Sequence, residues 1–344
     1  MTYHFTVIGA GPAGIAAIGK LLDSGMAADK IAWVDTHFQV GDFGTCWRNV
    51  PSNTKVKLFL KFLHGSPAFG YSQAPDFELN HLDPELTCTL KYMADVLQWV
   101  SAQLRQQVTV LQDFAHKIVQ QKNDWNIHLK TTTIQSKNII LAVGAEPLGL
   151  VSSIPTLGLA DAMDAERVKT QVDIKDTVAV YGSSHSAMLV LRNLVEYGVK
   201  HIINIYRSPL LYAIYHPDWI EYDDTGLKGT TADWARINID GTLPRNLTRL
   251  HTSDEQIEAL LANCNKVVYA IGFERRHLPE IENAVIQDYS VNQGMLAPGL
   301  FGLGIAFPEA KYNRVNKLEY RVGLWKFMEY LTEVLPVWLA AGQN

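Results

Sequence analysis

The sequence predicts an α/β fold containing two Rossmann-like dinucleotide-binding domains, and three observations predict it. Two glycine-rich turns, Phe5–Gly14 and Val178–Ala187, each stand where an apolar strand hands over to a helix. Strands and helices alternate along most of the chain, the pattern of parallel sheets covered by helices. With 344 residues, 47% hydrophobic and 19% charged, the chain can form two or three compact modules.

The first turn has a specific physical logic. Gly9 permits the tight bend out of the strand, and Gly11 lets backbone N–H groups approach a pyrophosphate with no Cβ in the way. Pro12 and Ala13 open the helix, and Gly14 lets that helix pack closely on the sheet. The helix N-terminus then offers unpaired N–H groups and a positive dipole end to phosphate. Ile15, Ile18, Leu21 and Leu22 form its apolar face as far as Ser24, and Gly25 suits the C′ position. A second apolar strand, Ile31–Val34, runs into Asp35, 21 residues past Gly14, where a carboxylate is expected on the adenosine ribose hydroxyls.

With strand, glycines, helix, strand and acid in this order, the chain resembles the two-dinucleotide-binding flavoproteins: flavin monooxygenases, thioredoxin reductases and glutathione reductases. The resemblance implies that the first turn holds FAD, with the pyrophosphate at Gly9, Gly11 and Gly14 and the ribose at Asp35. Ile139–Pro147, a strand leading into Gly144, resembles the piece that closes the FAD domain. Val267–Gly272 resembles the return to it. The NAD(P) domain is therefore expected as an insertion in the FAD domain. Residues 1–157 would be the first part of the FAD domain, with a small β-meander, 158–270 the NAD(P) domain, and 271–344 the return segment and C-terminal helix.

The second turn keeps Gly182 and Ser183, but carries Ser184 where the second glycine belongs and Ala187 at the third site. Alanine at the third site is harmless. Serine at the second aims a hydroxyl at the pyrophosphate, to donate or to obstruct. His185 and Ser186 complete the loop, His185 being read either as a phosphate contact or as a solvent-facing residue. Arg207, at the end of the strand His201–Tyr206, suits a 2′-phosphate and favours NADPH over NADH. A relic domain that no longer binds pyridine nucleotide stays open as an alternative.

Dithiol chemistry has no support. Cys46, Cys88 and Cys264 are widely spaced, and Pro51 stands where glutathione reductases carry the second cysteine of the redox loop. Cys46 is read as a small packing residue near the flavin, with a single-thiol sulfenate cycle as the other reading. The same segment resembles the flavin monooxygenases, where a glycine-rich loop precedes Trp-Arg and then an asparagine; here these are Trp47, Arg48 and Asn53. The resemblance implies that Trp47 and Arg48 line the cofactor and that Asn53 steadies the oxygenated flavin. The alternative is that Asn53 caps a turn before the apolar run Val56–Leu63. Near the C-terminus, Gly304 and Ile305 stand where backbone N–H groups would meet the flavin, without the Asp typical of disulfide reductases. Glu309 is read either as a polar contact there or as a solvated loop acid.

A net charge of −5 argues against a nucleic-acid partner. No apolar run reaches the ~18 residues of a membrane span, and the first strand begins at once, leaving no room for a signal peptide. A cytoplasmic enzyme is expected. No His/Cys/Asp cluster has metal-ligand spacing, so no metal is expected. The aromatic-rich segment 212–240 is either a cover over the second domain or part of a substrate pocket. The C-terminal helix Leu324–Ala341, whose apolar run Glu329, Glu333 and Pro336 break, is expected to pack on the FAD domain; a homodimer contact through it stays open. The resemblance implies reduction of FAD by NADPH, addition of oxygen at flavin C4a, and hydroxylation of a small nitrogen or sulfur nucleophile. The rivals are a reductase or oxidase passing electrons to a small acceptor or protein partner, and a non-catalytic FAD-binding protein.

Overall fold

The computed structural model describes residues 2–286, 289–290 and 293–341. Strand β1 (Thr2–Ile8) leads through the first glycine turn into α1 (Pro12–Asp23). Ile15, Ile18 and Leu21 of α1 are fully buried, as its apolar face requires, and Gly25 takes a φ of +83° just past its end. β2 (Ile31–Val34) runs parallel to β1. Short elements fill the stretch that follows: α2 (Gly41–Thr45), β3 (Pro51–Lys55), α3 (Val56–His64) and β4 (Thr87–Thr89). Helix α4 (Lys91–Arg105) follows Thr87–Thr89, which is drawn into an antiparallel pair with β3. β5 (Thr109–Leu111) then joins β2.

The meander is β6 (Ala115–Gln121), β7 (Asp124–Leu129) and the first half of β8 (Thr133–Leu141), and the second half of β8 is parallel to β1. One long strand therefore serves both the meander and the parallel sheet. β9 (Ala145–Pro147) leaves that sheet. After α5 (Leu159–Met163) and α6 (Ala165–Gln171), a second parallel unit forms from β10 (Thr177–Tyr181), α7 (His185–Tyr197) and β11 (His201–Tyr206). The small ribbon β12 (Ile214–Tyr215) and β13 (Ile220–Glu221), α8 (Gly229–Ala235), β14 (Leu247–His251), α9 (Ile257–Leu261) and β15 (Lys266–Tyr269) complete it. Its sheet order is β14-β11-β10-β15, parallel throughout.

β16 (Phe273–Arg275) pairs antiparallel with β9, so the chain enters and leaves the second unit through one two-stranded ribbon. The tail holds β17 (Glu280–Glu282), β18 (Met295–Ala297), β19 (Leu300–Gly302), β20 (Glu309–Tyr312), β21 (Leu318–Arg321) and α10 (Leu324–Ala341). It rejoins the first unit: Phe301 of β19 lies opposite Ile140 of β8, and α10 packs on α1 and α3. The fold is thus α/β, with one Rossmann-type domain inserted in another. α10 continues through Pro336; beyond it Trp338 is fully buried and stacks on Phe301 at 4.7 Å, so packing holds the helix past the proline. Among the described residues no helix is long and apolar enough to cross a membrane.

Candidate cofactor sites at the two glycine turns

Both turns rest on the same backbone contact. Gly9 has a φ of +111°, and a Cβ there would lie 2.3 Å from the Ala142 carbonyl oxygen. Gly182 has a φ of +125°, and its Cβ would lie 2.2 Å from the Ala270 carbonyl oxygen. Ala142 and Ala270 come from the two strand-then-glycine segments, which are therefore the floors of the two turns. At the third site the turns differ. A Cβ on Gly14 would meet the Gly9 carbonyl oxygen at 1.9 Å, so only glycine fits, whereas Ala187 is accommodated and fully buried.

The second site of the first turn shows what the fold itself does not demand. Gly11 has a φ of −73°, open to any residue, and a Cβ there would find no neighbour closer than 3.9 Å. The chain leaves that space clear, as close approach of a pyrophosphate requires. α1 and α7 both begin without a side-chain cap hydrogen bond and without an acid in the first turn, leaving their N–H groups free for an anion. α6, by contrast, is capped by Asp164, whose Oδ1 accepts the Glu166 and Arg167 N–H groups at 3.0 and 3.3 Å.

Asp35 does more than wait for a ribose. Its Oδ2 accepts the Ala10 N–H at 2.8 Å, and its Oδ1 accepts the His37 and Phe38 N–H groups at 2.8 and 2.7 Å. The next residues lie across the turn: Phe38, Val40 and Gly41 all take positive φ, and a Cβ on Gly41 would lie 3.2 Å from the Gly11 Cα. A left-handed valine is a strained conformation that the surrounding packing must hold. From the other side comes Gly304, with a φ of +89°; its Cβ would lie 2.6 Å from the Ala13 Cβ. Ile305 beside it is exposed, and Gly144, also of positive φ, has open space around it.

Residues 41–55 connect the two units. Asp42 pairs with Arg276 at 2.7 Å, just past the ribbon, and Arg276 also stands 3.9 Å from Glu146. Trp47 meets Phe273 edge-on at 5.9 Å and packs, with buried Val50, against the core of the second unit. Arg48 is paired with Asp95 of α4 at 2.5 Å. Cys46 ends α2 half-buried, with the Thr45 hydroxyl 3.7 Å from its Sγ. Asn53 is exposed on β3 and its Oδ1 accepts the Thr54 hydroxyl at 3.3 Å. Two residues on, Lys55 holds the N-cap position of α3, without a side-chain bond. All three cysteines are free and stand in separate segments, and burial pushes the Cys88 thiol up to about 11.

At the second turn Ser184 is the N-cap of α7 with φ −91°, an extended conformation that serine adopts without strain. Asn204, buried in β11, donates its Nδ2 to the Val180 and Gly182 carbonyls at 3.0 and 2.9 Å and holds the turn from behind. In the sequence its signal is an asparagine inside Ile202–Ile205, a break in an apolar strand that calls for buried partners. His185 is not the solvent-facing residue of one reading: its Nδ1 is buried without a hydrogen bond, and burial together with Lys228 pushes the ring pKa down to about 4. Lys228 is bonded to Asp223, which also pairs with Lys326 of α10 at 2.5 Å. The segment 223–229 is therefore tied to both units. Arg207 is exposed, and its carbonyl lies 3.0 Å from the His251 Nε2. Glu309 is likewise not solvated: it is 3% exposed, between Lys311 at 2.6 Å and Arg321 at 2.8 Å.

A family model described as pyridine nucleotide-disulphide oxidoreductase matches residues 3–287. A monooxygenase of Paecilomyces divaricatus, AgnR1, is 33% identical to the chain over 97% of both proteins. Among solved structures, the ornithine N-hydroxylase of Kutzneria sp. 744 superposes with a TM-score of 0.65 at 13% identity, over 99% of each chain. The L-lysine 6-monooxygenase of Pseudomonas syringae gives 0.65 at 12%, over 98% of this chain and 99% of that one. The bacillithiol disulfide reductase of Staphylococcus aureus gives 0.62 at 11%, over 99% of each. At these identities the solved structures speak for the fold.

Proposed function

The chain belongs to the pyridine nucleotide-disulphide oxidoreductase family and is a flavin monooxygenase-like oxidoreductase using FAD and NADPH, and we propose that it hydroxylates a small nitrogen or sulfur nucleophile with oxygen as co-substrate. The observation that carries this reading is the state of the thiols. A disulfide reductase needs two exchanging cysteines; here Cys46, Cys88 and Cys264 form no CxxC or CxxxxC pair, and burial pushes the Cys88 thiol up to about 11, away from the reactive thiolate. A monooxygenase relative, and neighbours named for ornithine and lysine, support an amine as the substrate class.

In this reading residues 1–157 and 271–344 hold FAD and 158–270 hold NADPH. Gly9, Gly11, Pro12, Ala13 and Gly14 receive the FAD pyrophosphate, Asp35 the ribose, and Gly144, Gly304 and Ile305 border the ring with Trp47 and Arg48. Gly182, Ser183, Ser184, His185, Ser186 and Arg207 receive NADPH. FAD, when bound, supplies the two-electron chemistry between NADPH and oxygen. Asn53 offers an amide that both donates and accepts at the reacting face, and Cys46 is a small packing residue near the flavin. A cytoplasmic location belongs to the same proposal.

The rival reading is an oxidase, in which the reduced flavin passes its electrons to oxygen and peroxide is released. The test is anaerobic titration of the purified flavoprotein with NADPH, followed by aerobic turnover with candidate amines and thioethers. Bleaching of the flavin band and product formed in step with NADPH consumed support the hydroxylase. Peroxide equal to the NADPH consumed, whatever substrate is added, favours the oxidase. A flavin that NADPH leaves oxidised defeats both.

A further inference from the structure

The inserted unit hangs on the first through the ribbon β9–β16, and a separate set of contacts also holds it. The ribbon β12–β13 and the turn after it meet the hairpin β20–β21 and the start of α10. Arg314, at the hairpin tip, pairs with Asp218 at 2.5 Å, and Lys326 of α10 pairs with Asp223 at 2.5 Å. The Tyr320 N–H donates to the Asp224 Oδ2 at 3.2 Å, and the Lys317 ammonium lies 4.4 Å from the centre of the Tyr222 ring. Tyr222 takes a φ of +57°, a left-handed backbone that its surroundings must hold.

Each side of this junction is rooted in its own unit. Arg321 of the hairpin donates to Glu309 at 2.8 Å and to Glu329 of α10 at 2.6 Å, and Lys311 donates to Glu333 of α10 at 2.9 Å. α10 in turn packs on α1, the helix that opens at the first glycine turn. On the other side Asp223 is bonded to Lys228, the N-cap residue of α8, and α8 packs on α7, the helix of the second turn. A path of packed elements therefore runs from one glycine turn to the other through the junction. A unit attached by a two-stranded ribbon alone is free to swing. An isolated exposed pair such as Arg314–Asp218 resists that swing little, but contacts between two rooted segments must break together.

We propose that the ribbon β12–β13 and the hairpin β20–β21 form a clasp that fixes the angle of the inserted unit and keeps the two glycine turns at one separation while nucleotide binds and leaves. Asp218, Asp223, Asp224, Arg314 and Lys326 are its positioning residues, and none of them lies in either turn. The clasp stands on its own contacts. Its consequence for flavin reduction by NADPH rests on the reading of the two turns as the cofactor sites.

Hydrogen exchange of the Tyr320 amide in the FAD-loaded protein reads the clasp directly, because the acceptor of that amide belongs to the other unit. Asp218→Arg and Arg314→Asp each set like charges where an ion pair stood, on side chains exposed enough to leave the core untouched. Each single variant is expected to speed that exchange about tenfold and to slow flavin reduction at saturating NADPH several-fold. The double swap rebuilds the pair in reverse and is expected to return both rates to within about twofold of wild type. Single variants with wild-type exchange overturn the clasp, as does a double swap that restores nothing. Wild-type protection that disappears when NADP⁺ is added overturns the claim that the clasp stays shut. Faster exchange with unchanged flavin reduction overturns its positioning role. NADPH that leaves the flavin oxidised in all four proteins removes the reading of the second turn, and the exchange rates still decide the clasp.

Discussion

The carboxylate of Asp35 accepts the Ala10 N–H at 2.8 Å, so the residue that ends the second strand also holds the first glycine turn in shape. The other oxygen gathers the His37 and Phe38 N–H groups, which starts the left-handed segment that lies across Gly11. One side chain thus orders both walls of the proposed FAD pyrophosphate site before any ligand arrives. Asp35→Ala is expected to destabilise the protein by about 2–3 kcal/mol, since three N–H groups lose a charged acceptor. Urea unfolding of the flavin-free protein checks this: a purely ribose-binding role would leave its midpoint unchanged.

The glycines of the first turn separate folding from binding. Gly11→Ala is expected to leave the flavin-free protein within about 1 kcal/mol of wild type, because its Cβ finds no neighbour closer than 3.9 Å. Its FAD dissociation constant should rise tenfold or more. Gly14→Ala is expected to cost more than about 3 kcal/mol without any cofactor, because its Cβ would lie 1.9 Å from the Gly9 carbonyl oxygen. Denaturation of the flavin-free variants and fluorescence titration with FAD test the pair; equal effects of both on stability would refute the distinction.

His185 makes stability depend on pH. Its folded-state pKa lies near 4 and its unfolded-state value near the ordinary ~6.5, so between the two the unfolded chain binds more protons. Stability should therefore fall as pH drops from about 6.5 towards 4, by up to roughly 3 kcal/mol, and level off above 6.5. His185→Gln should flatten that part of the profile. A variant with the wild-type slope would assign the effect elsewhere.

Asp223 holds two lysines from two parts of the chain, Lys228 in the inserted unit and Lys326 in the C-terminal helix. Asp223→Asn leaves a largely buried ammonium without its charge partner, and a loss of about 2–4 kcal/mol is expected. Lys326→Met should cost less, since it leaves the Asp223–Lys228 pair intact. Thermal unfolding of the two variants gives the order, and a larger effect of Lys326→Met would contradict it.

The two Rossmann units, their glycine turns and their order along the chain follow from the sequence alone. Their cause is local: a backbone that must turn with positive φ selects Gly9 and Gly182, and apolar periods of two and 3.6 residues separate strands from helices. The two floor segments were legible through the resemblance to two-dinucleotide-binding flavoproteins, whereas the placement of the Ala142 and Ala270 carbonyls beneath Gly9 and Gly182 came from the structure. What only the tertiary structure decided is which polar groups meet. Asp42 and Arg276 pair across 234 residues, Glu309 is buried between two cations, and His185 is buried with the charge of Lys228 close to it. Ionic contacts and burial depend on chains brought together from distant positions, and no local period encodes them.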